Sequence, residues 1–81
     1  MIIVSQGKRE IINFDNINLI GTDGEGAIRA RLGVEDNVHL GAYATEERAK
    51  EVLKEITIIY ADKNEYIDNS NGAAIYEMPE N

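Results

Sequence analysis

The sequence has no cysteine and no tryptophan, and only one proline and one phenylalanine, among its 81 residues. Without cysteine there can be no disulfide, no thiolate metal ligand and no cysteine nucleophile. The opening apolar run, "MIIV", is too short for the core of a signal peptide or for a membrane span. We therefore expect a cytoplasmic protein that does not contact a membrane.

Basic residues are also scarce: eight Lys and Arg stand against 15 Asp and Glu, which gives a formal net charge of −7. Direct binding of DNA or RNA is not expected, because it depends on cations that displace counterions from phosphates. A local basic cluster is still compatible with a small phosphate-bearing ligand. An acidic surface also suits docking on a basic protein partner, including as a mimic of nucleic acid.

The length predicts a single domain over residues 1–81, and a hydrophobic content of 43% predicts a folded chain rather than a disordered one. A domain this small buries only about 60% of the surface that its unfolded chain exposes. Self-association would bury more apolar area, so we expect a homo-oligomer.

The spacing of apolar residues predicts several short strands, then one helix and a last strand. The strands are expected at residues 2–5, 10–21 with a corner at "FDN", 27–32, 38–43 and 73–79. "QGKR" is expected to be a hairpin turn with Gly7 at positive φ, and the tail after Pro79 to fray. This order predicts an α+β fold: an antiparallel β-meander of about four to five strands with one amphipathic helix packed on one face.

The helix is expected to begin near Thr45, a good N-cap, with two glutamates in its first turn where the helix dipole favours negative charge. Helical spacing predicts one apolar face, made of Ala49, Val52, Leu53, Ile56, Ile59 and Tyr60. Ile58 falls outside that face. It is expected to be either an exposed aliphatic or a contact with another chain.

No arrangement of residues indicates catalysis. His39 is the only histidine, and Ser5 and Ser70, the only serines, lie at expected element ends with no nucleophile motif around them. We expect no enzyme activity, no catalytic residue and no cofactor.

Two loops resemble ligand motifs only in part. "GTDGEGA" has glycines spaced like part of a dinucleotide fingerprint, but a strand is expected after it where the fingerprint needs a helix. It is predicted to be a hairpin turn. "DKNEYIDNSNGA" has acids like those of a calcium loop, but Ile67 and Ala73 stand where Gly and a bidentate Glu are needed. No metal site is expected.

One set of four residues is the most informative feature. Arg29 and Arg31 point the same way from one expected strand, and His39 and Tyr43 the same way from the next. If these strands pair as a hairpin, all four lie on the sheet face opposite the helix. Two guanidiniums, an imidazole and a phenol suit a nucleotide-like anion. Solvation also accounts for the set, because antiparallel sheets normally turn one polar face to water.

Most of the chain resembles a family of small uncharacterised proteins. The segments that carry the resemblance are "MIIVSQ", "IINFDNI", "LGAYATEERAKEVLKEI" and "YEMPE". The family occurs in Gram-positive bacteria of the clostridial and bacillar groups and in their phages and prophages. The resemblance implies a setting, the host cytoplasm of a phage-encoded protein, and carries over no catalytic residue.

The sequence thus supports two functional hypotheses. The first is a non-enzymatic, phage-type counter-defence protein that sequesters a small anionic, nucleotide-like signal through Arg29, Arg31, His39 and Tyr43, on one face or at an oligomer seam. The second is an acidic inhibitor that binds a host protein as a nucleic-acid mimic.

Overall fold

The computed structural model describes residues 1–34, 36–61 and 75–81. Within them the fold is α+β, as the sequence predicts, with six strands and one α-helix. In chain order these are β1 (Ile2–Val4), β2 (Ile11–Asn13), β3 (Leu19–Thr22), β4 (Ala27–Arg31), β5 (Asn37–Ala42), α1 (Glu46–Ala61) and β6 (Ile75–Glu77).

The strands form two three-stranded sheets rather than one. Sheet A has the order β2-β1-β6, with β1 antiparallel to β2 and parallel to β6. Sheet B is the antiparallel meander β3-β4-β5. The helix packs against β3 and β4. One core lies between the helix and the inner faces of both sheets; its buried members are Ile3, Ile12, Ile28, Ala30, Leu40, Tyr43, Ala49, Val52, Ile56, Tyr76 and Met78.

The expected corner at "FDN" divides the second expected strand between the two sheets. It forms a short 3₁₀ turn, Phe14–Asn16, in which the Asn13 side chain accepts a hydrogen bond from the Asp15 amide. The ring of Phe14 meets that of Tyr60 edge to face, with centroids 4.7 Å apart. The turn therefore packs on the end of the helix, and β2 and β3 leave it in different sheets.

The first hairpin turn differs from expectation in one backbone angle. Lys8, not Gly7, takes the positive φ, at 59°. The Ser5 hydroxyl, which is buried, accepts hydrogen bonds from the amides of Arg9 and Glu10. The Ser5 side chain therefore supplies the hydrogen-bond acceptor for the turn amides. The left-handed backbone conformation falls on Lys8, whose side chain is exposed.

The helix begins as predicted. The Thr45 hydroxyl accepts a hydrogen bond from the Arg48 amide at 3.1 Å, which is N-cap geometry. The Glu46 carboxylate then reaches sideways to the β3–β4 hairpin, where it accepts hydrogen bonds from the Gly26 amide at 2.9 Å and from the Thr22 hydroxyl. "GTDGEGA" is thus a hairpin turn fastened to the helix N-terminus.

The tail after β6 is held, so the expectation that it frays is wrong. We call residues 78–81 the C-terminal strap. The Met78 amide donates to the Val4 carbonyl, and the next three carbonyls accept hydrogen bonds from side chains elsewhere in the chain. Their donors are the Tyr43 hydroxyl to Pro79, Gln6 Nε2 to Glu80 and Arg48 Nε to Asn81, at 2.8 to 3.0 Å. Distant side chains, invisible to local pattern, fix this segment.

The segment "DKNEYIDNSNGA", which resembles a calcium loop only in part, lies outside the described residues. So does the start of the last expected strand, at residues 73 and 74. In the described part of the chain, no helix is long and apolar enough to cross a membrane.

The β3–β4 turn gives a paired test of steric contact. Gly24 and Gly26 both have positive φ, but a Cβ at Gly26 would lie 2.4 Å from the Tyr43 carbonyl oxygen, whereas one at Gly24 would meet nothing within 4 Å. Gly24→Ala should therefore cost about 1–2 kcal/mol for its backbone conformation alone. Gly26→Ala should cost about 1–3 kcal/mol more for the overpacking. Urea unfolding of both variants measures this, and equal losses would contradict it.

Candidate ligand-binding face

Sheet B turns one face away from the helix, and the two arginines of β4 lie on it. Ile28 and Ala30 are buried under the helix, while Arg29 and Arg31 are exposed. Across the ladder, Arg29 is opposite His39 of β5 and Arg31 is opposite Asn37. Directly opposed residues of an antiparallel pair share a face. We call Arg29, Arg31, Asn37 and His39 the cationic face.

Two shallow depressions of about 250 Å³ each adjoin this face. The first lies over β3 and β4 and is lined by Leu19, Gly21, Thr22, Asp23, Arg29, Ala30, Arg31 and Asn37. The second lies between β5 and the first hairpin and is lined by Ser5, Gln6, Gly7, Arg9, Glu10, His39, Leu40 and Gly41. The face is therefore an open surface with two hollows, not an enclosed pocket.

The arginines of the face are uncompensated by close partners. Neither the Arg29 nor the Arg31 side chain forms an ion pair or hydrogen bond with any described residue. Asp23 lies close enough to Arg29 for their charges to interact. The amides of Glu25 and Ala27 that donate to its carboxylate lower its pKa, and the charge of Arg29 adds a smaller effect. Asp23 therefore stays ionised at the edge of the face but is engaged with its own turn.

Tyr43 does not lie on this face, so its expected placement there is wrong. It is buried, with 7% of its surface exposed. The reason is a β-bulge: Arg29 pairs with His39 but Ile28 pairs with Gly41, so Leu40 is an extra residue on β5. An extra residue reverses the side-chain alternation beyond it. His39 therefore faces out, and Tyr43, four positions later, faces in.

Gln6 pairs with the bulged region and joins the two sheets there. Its amide donates to the Leu40 carbonyl at 2.7 Å, and its Oε1 accepts from the Ala42 amide at 2.8 Å. Its Nε2 donates to the strap at Glu80. A Cβ at Gly41 would lie 3.2 Å from the Gln6 Cβ and from the Tyr43 hydroxyl, so a larger residue there would require these side chains to shift.

The inward-facing tyrosines serve the core. The Tyr43 hydroxyl donates to the Pro79 carbonyl, and its ring lies 5.9 Å from the Arg48 guanidinium. The Tyr76 hydroxyl donates to Glu55 Oε1 at 2.8 Å. Burial raises the pKa of both phenols, and for Tyr76 the hydrogen bond to Glu55 raises it further. Both hydroxyls are structural donors, not contacts for an external ligand.

The structure adds Asn37 and Arg9 to the residues that sequence reasoning placed around the site. Asn37 lies just before the strand expected at residues 38–43, but it begins β5 and pairs with Arg31. Arg9 lines the depression beside His39. Extending the expected strand by one residue toward its N-terminus would have placed Asn37 opposite Arg31. Nothing in the local sequence relates Arg9 to His39, because the two come together only where the sheets join.

Two other surfaces bear on the expected homo-oligomer, which stays a prediction. Ile58 is 48% exposed on the helix. On the outer side of sheet A, Ile2 lies opposite Ile75, and Val4 lies opposite Ile11, which is 69% exposed. The chain therefore has a second aliphatic surface that the sequence reading did not single out.

Among the described residues, no group of three or more His, Asp or Glu is arranged to hold a metal ion. Comparison with known proteins gives no match: no family model, no curated protein and no solved structure matches this chain. The candidate site accordingly depends on the geometry of the cationic face.

The bulge gives a stability test centred on Gln6. Gln6→Ala removes two side-chain hydrogen bonds at the junction of the sheets and leaves the Ala42 amide and Glu80 carbonyl without that partner. It should lower the free energy of unfolding by about 1–3 kcal/mol. Lys8→Ala is the control, because it removes only an exposed ion pair with Glu77, and such pairs are worth about 0–1 kcal/mol. Chemical denaturation compares them, and similar losses would argue against the junction's importance.

The raised pKa of Tyr76 predicts weakening at alkaline pH. Its folded-state pKa lies above the ordinary value of 10.0, so its contribution to stability is complete below that pH and falls as the pH rises past it. Wild-type protein should lose more unfolding free energy between about pH 9 and about pH 11 than Tyr76→Phe, which has no proton to lose. Urea unfolding at the two pH values tests this, and an identical loss in both proteins would overturn the prediction.

Proposed function

We propose that this protein is a non-enzymatic binding protein of the phage or prophage type that captures a small anionic, nucleotide-like ligand and so sequesters a signal. One observation carries the proposal. Arg29 and Arg31 lie side by side on an open sheet face, without an ion pair to any described residue, in a chain of net charge −7.

What distinguishes the two arginines of β4 is that they share one strand face. The chain has 15 Asp and Glu for eight Lys and Arg. Among the described residues, Lys8 pairs with Glu77 and Arg48 with Glu51, whereas Arg9, Lys50 and Lys54 form no ion pair, as is true of Arg29 and Arg31. No described acid pairs with the two adjacent guanidiniums of β4, and Arg binds phosphate and carboxylate through two parallel N–H bonds.

The surroundings of the arginines suit capture rather than turnover. Asn37 and His39 add polar groups beside the guanidiniums, and Gly21, opposite Arg29, presents no side chain to obstruct a ligand. Among the described residues, the Ser5 hydroxyl lines the depression beside His39, but it is hydrogen-bonded to the amides of Arg9 and Glu10 and has no bond to the imidazole that would activate it. Such a site holds an anion by charge and hydrogen bonds and leaves it unchanged, which is what sequestration needs.

The alternative hypothesis, an acidic surface that mimics nucleic acid, has weaker support from the described residues. On α1, Glu47, Glu51 and Glu55 follow one another at four-residue spacing, but Glu51 pairs with Arg48 and Glu55 accepts the Tyr76 hydroxyl. Lys50 and Lys54 lie between them. This helix surface is a mixture of both charges rather than a continuous acidic stripe.

Native mass spectrometry of protein purified from infected, defence-active cells tests the proposal. Wild-type protein should carry a small anionic molecule that is absent from the double variant R29E/R31E. The variant K50E/K54E is the matched control: it makes the same charge change on the helix and should retain the molecule.

Circular dichroism would establish that both variants keep the fold. An identical bound species in R29E/R31E and wild type would contradict the assignment of the cationic face. A protein partner that is lost steeply as salt rises, with no small molecule, would instead favour the acidic-mimic hypothesis.

A further inference from the structure

The two depressions beside the cationic face are neighbours that share strand β5. Asn37 borders the first, with Arg29 and Arg31, and His39 borders the second, with Arg9. Because Arg29 is opposite His39 in the ladder, β4 and β5, which border the two depressions, are adjacent strands roughly 5 Å apart. A basic band therefore extends from β4 across β5 to the first hairpin.

Neither depression alone is a large or purely basic site. At about 250 Å³, each is smaller than the roughly 300–1,000 Å³ of typical small-molecule pockets, and the two together reach that range. Each also contains one acid, Asp23 in the first and Glu10 in the second. A single anion in either depression would be repelled by that acid as well as attracted by the arginines of the same depression. A ligand that spans both engages Arg9, Arg29 and Arg31 at once.

The face also contains no aromatic ring among its described residues. Its one expected ring, Tyr43, is buried, and its hydroxyl is bound to the Pro79 carbonyl. Stacking on an aromatic side chain is the usual way in which proteins hold a base without reading its sequence. Without such a ring, recognition here depends on the charged groups of a ligand.

From these three observations we infer that the ligand carries at least two phosphate groups in one chain and is recognised through them, not through a base. This inference depends on the proposed function of the cationic face and names its ligand class: linear oligophosphates. One phosphate lies against Arg29, Arg31 and Asn37. A further phosphate of the same chain lies across β5 against His39 and Arg9, so Arg9 is a specificity residue for this second position.

Isothermal titration calorimetry with inorganic orthophosphate and inorganic tripolyphosphate tests the inference without needing the natural ligand. At about 0.15 M salt, where the Debye length is about 8 Å, wild-type protein should bind tripolyphosphate at least about tenfold more tightly than orthophosphate, because linked groups bind with a high effective concentration. Arg9→Gln should weaken tripolyphosphate binding at least about fivefold by removing a charge-assisted contact. It should leave orthophosphate binding unchanged.

Lys8→Gln is the matched control. It removes the same charge one residue away, but the Lys8 ammonium lies against Glu77 and does not line the depression. Its tripolyphosphate affinity should stay within about twofold of wild type, since an exposed charge outside the contact acts only through screened solvent. Equal affinities of wild type for the two probes, no binding of either, or equal effects of the Arg9 and Lys8 changes would overturn the inference.

The double variant R29Q/R31Q separates the two levels of the argument. If it loses both probes while Arg9→Gln loses neither, the cationic face binds anions but the second phosphate position is wrong. If R29Q/R31Q binds both probes like wild type, the cationic face itself is wrong, and the proposed function fails with it.

Discussion

The pairing of Gln6 with the bulge in β5 is the interaction on which the arrangement of the two sheets depends. Sheets A and B are each only three strands wide, and small sheets of this kind need a packed partner for stability. Gln6 supplies the connection through its backbone amide and both ends of its side-chain amide. The strap, β5 and the first hairpin therefore meet at one residue.

The same bulge divides the surface from the core. It leaves His39 outside with Arg29 and turns Tyr43 inside, where the phenol fixes the strap. The exclusion of the ring leaves an open face of charged and small residues, which is why the proposed recognition is of phosphates. A single extra residue in β5 thus has two results: the Tyr43 hydroxyl is hydrogen-bonded inside the protein, and the cationic face has no tyrosine ring.

Local features of the sequence predicted much of this fold. Thr45 caps the helix as expected, and Ala49, Val52 and Ile56 are buried at their predicted helical spacing. The alternation in "AIRAR" correctly separated buried from exposed positions in β4, although Leu32, next in the pattern, is 38% exposed. These predictions succeed because a cap or a periodic face depends on residues a few positions apart.

The sequence by itself determined the α+β class, the helix and the exposure of Arg29 and Arg31. Only the tertiary structure decided that β2 and β3 enter different sheets, that Tyr43 is buried, that the tail is held and that Arg9 lies beside His39. The physical reason is range. The bulge depends on hydrogen bonds to Gln6, and this residue lies 36 positions away from Ala42 in the chain. No local period contains that information.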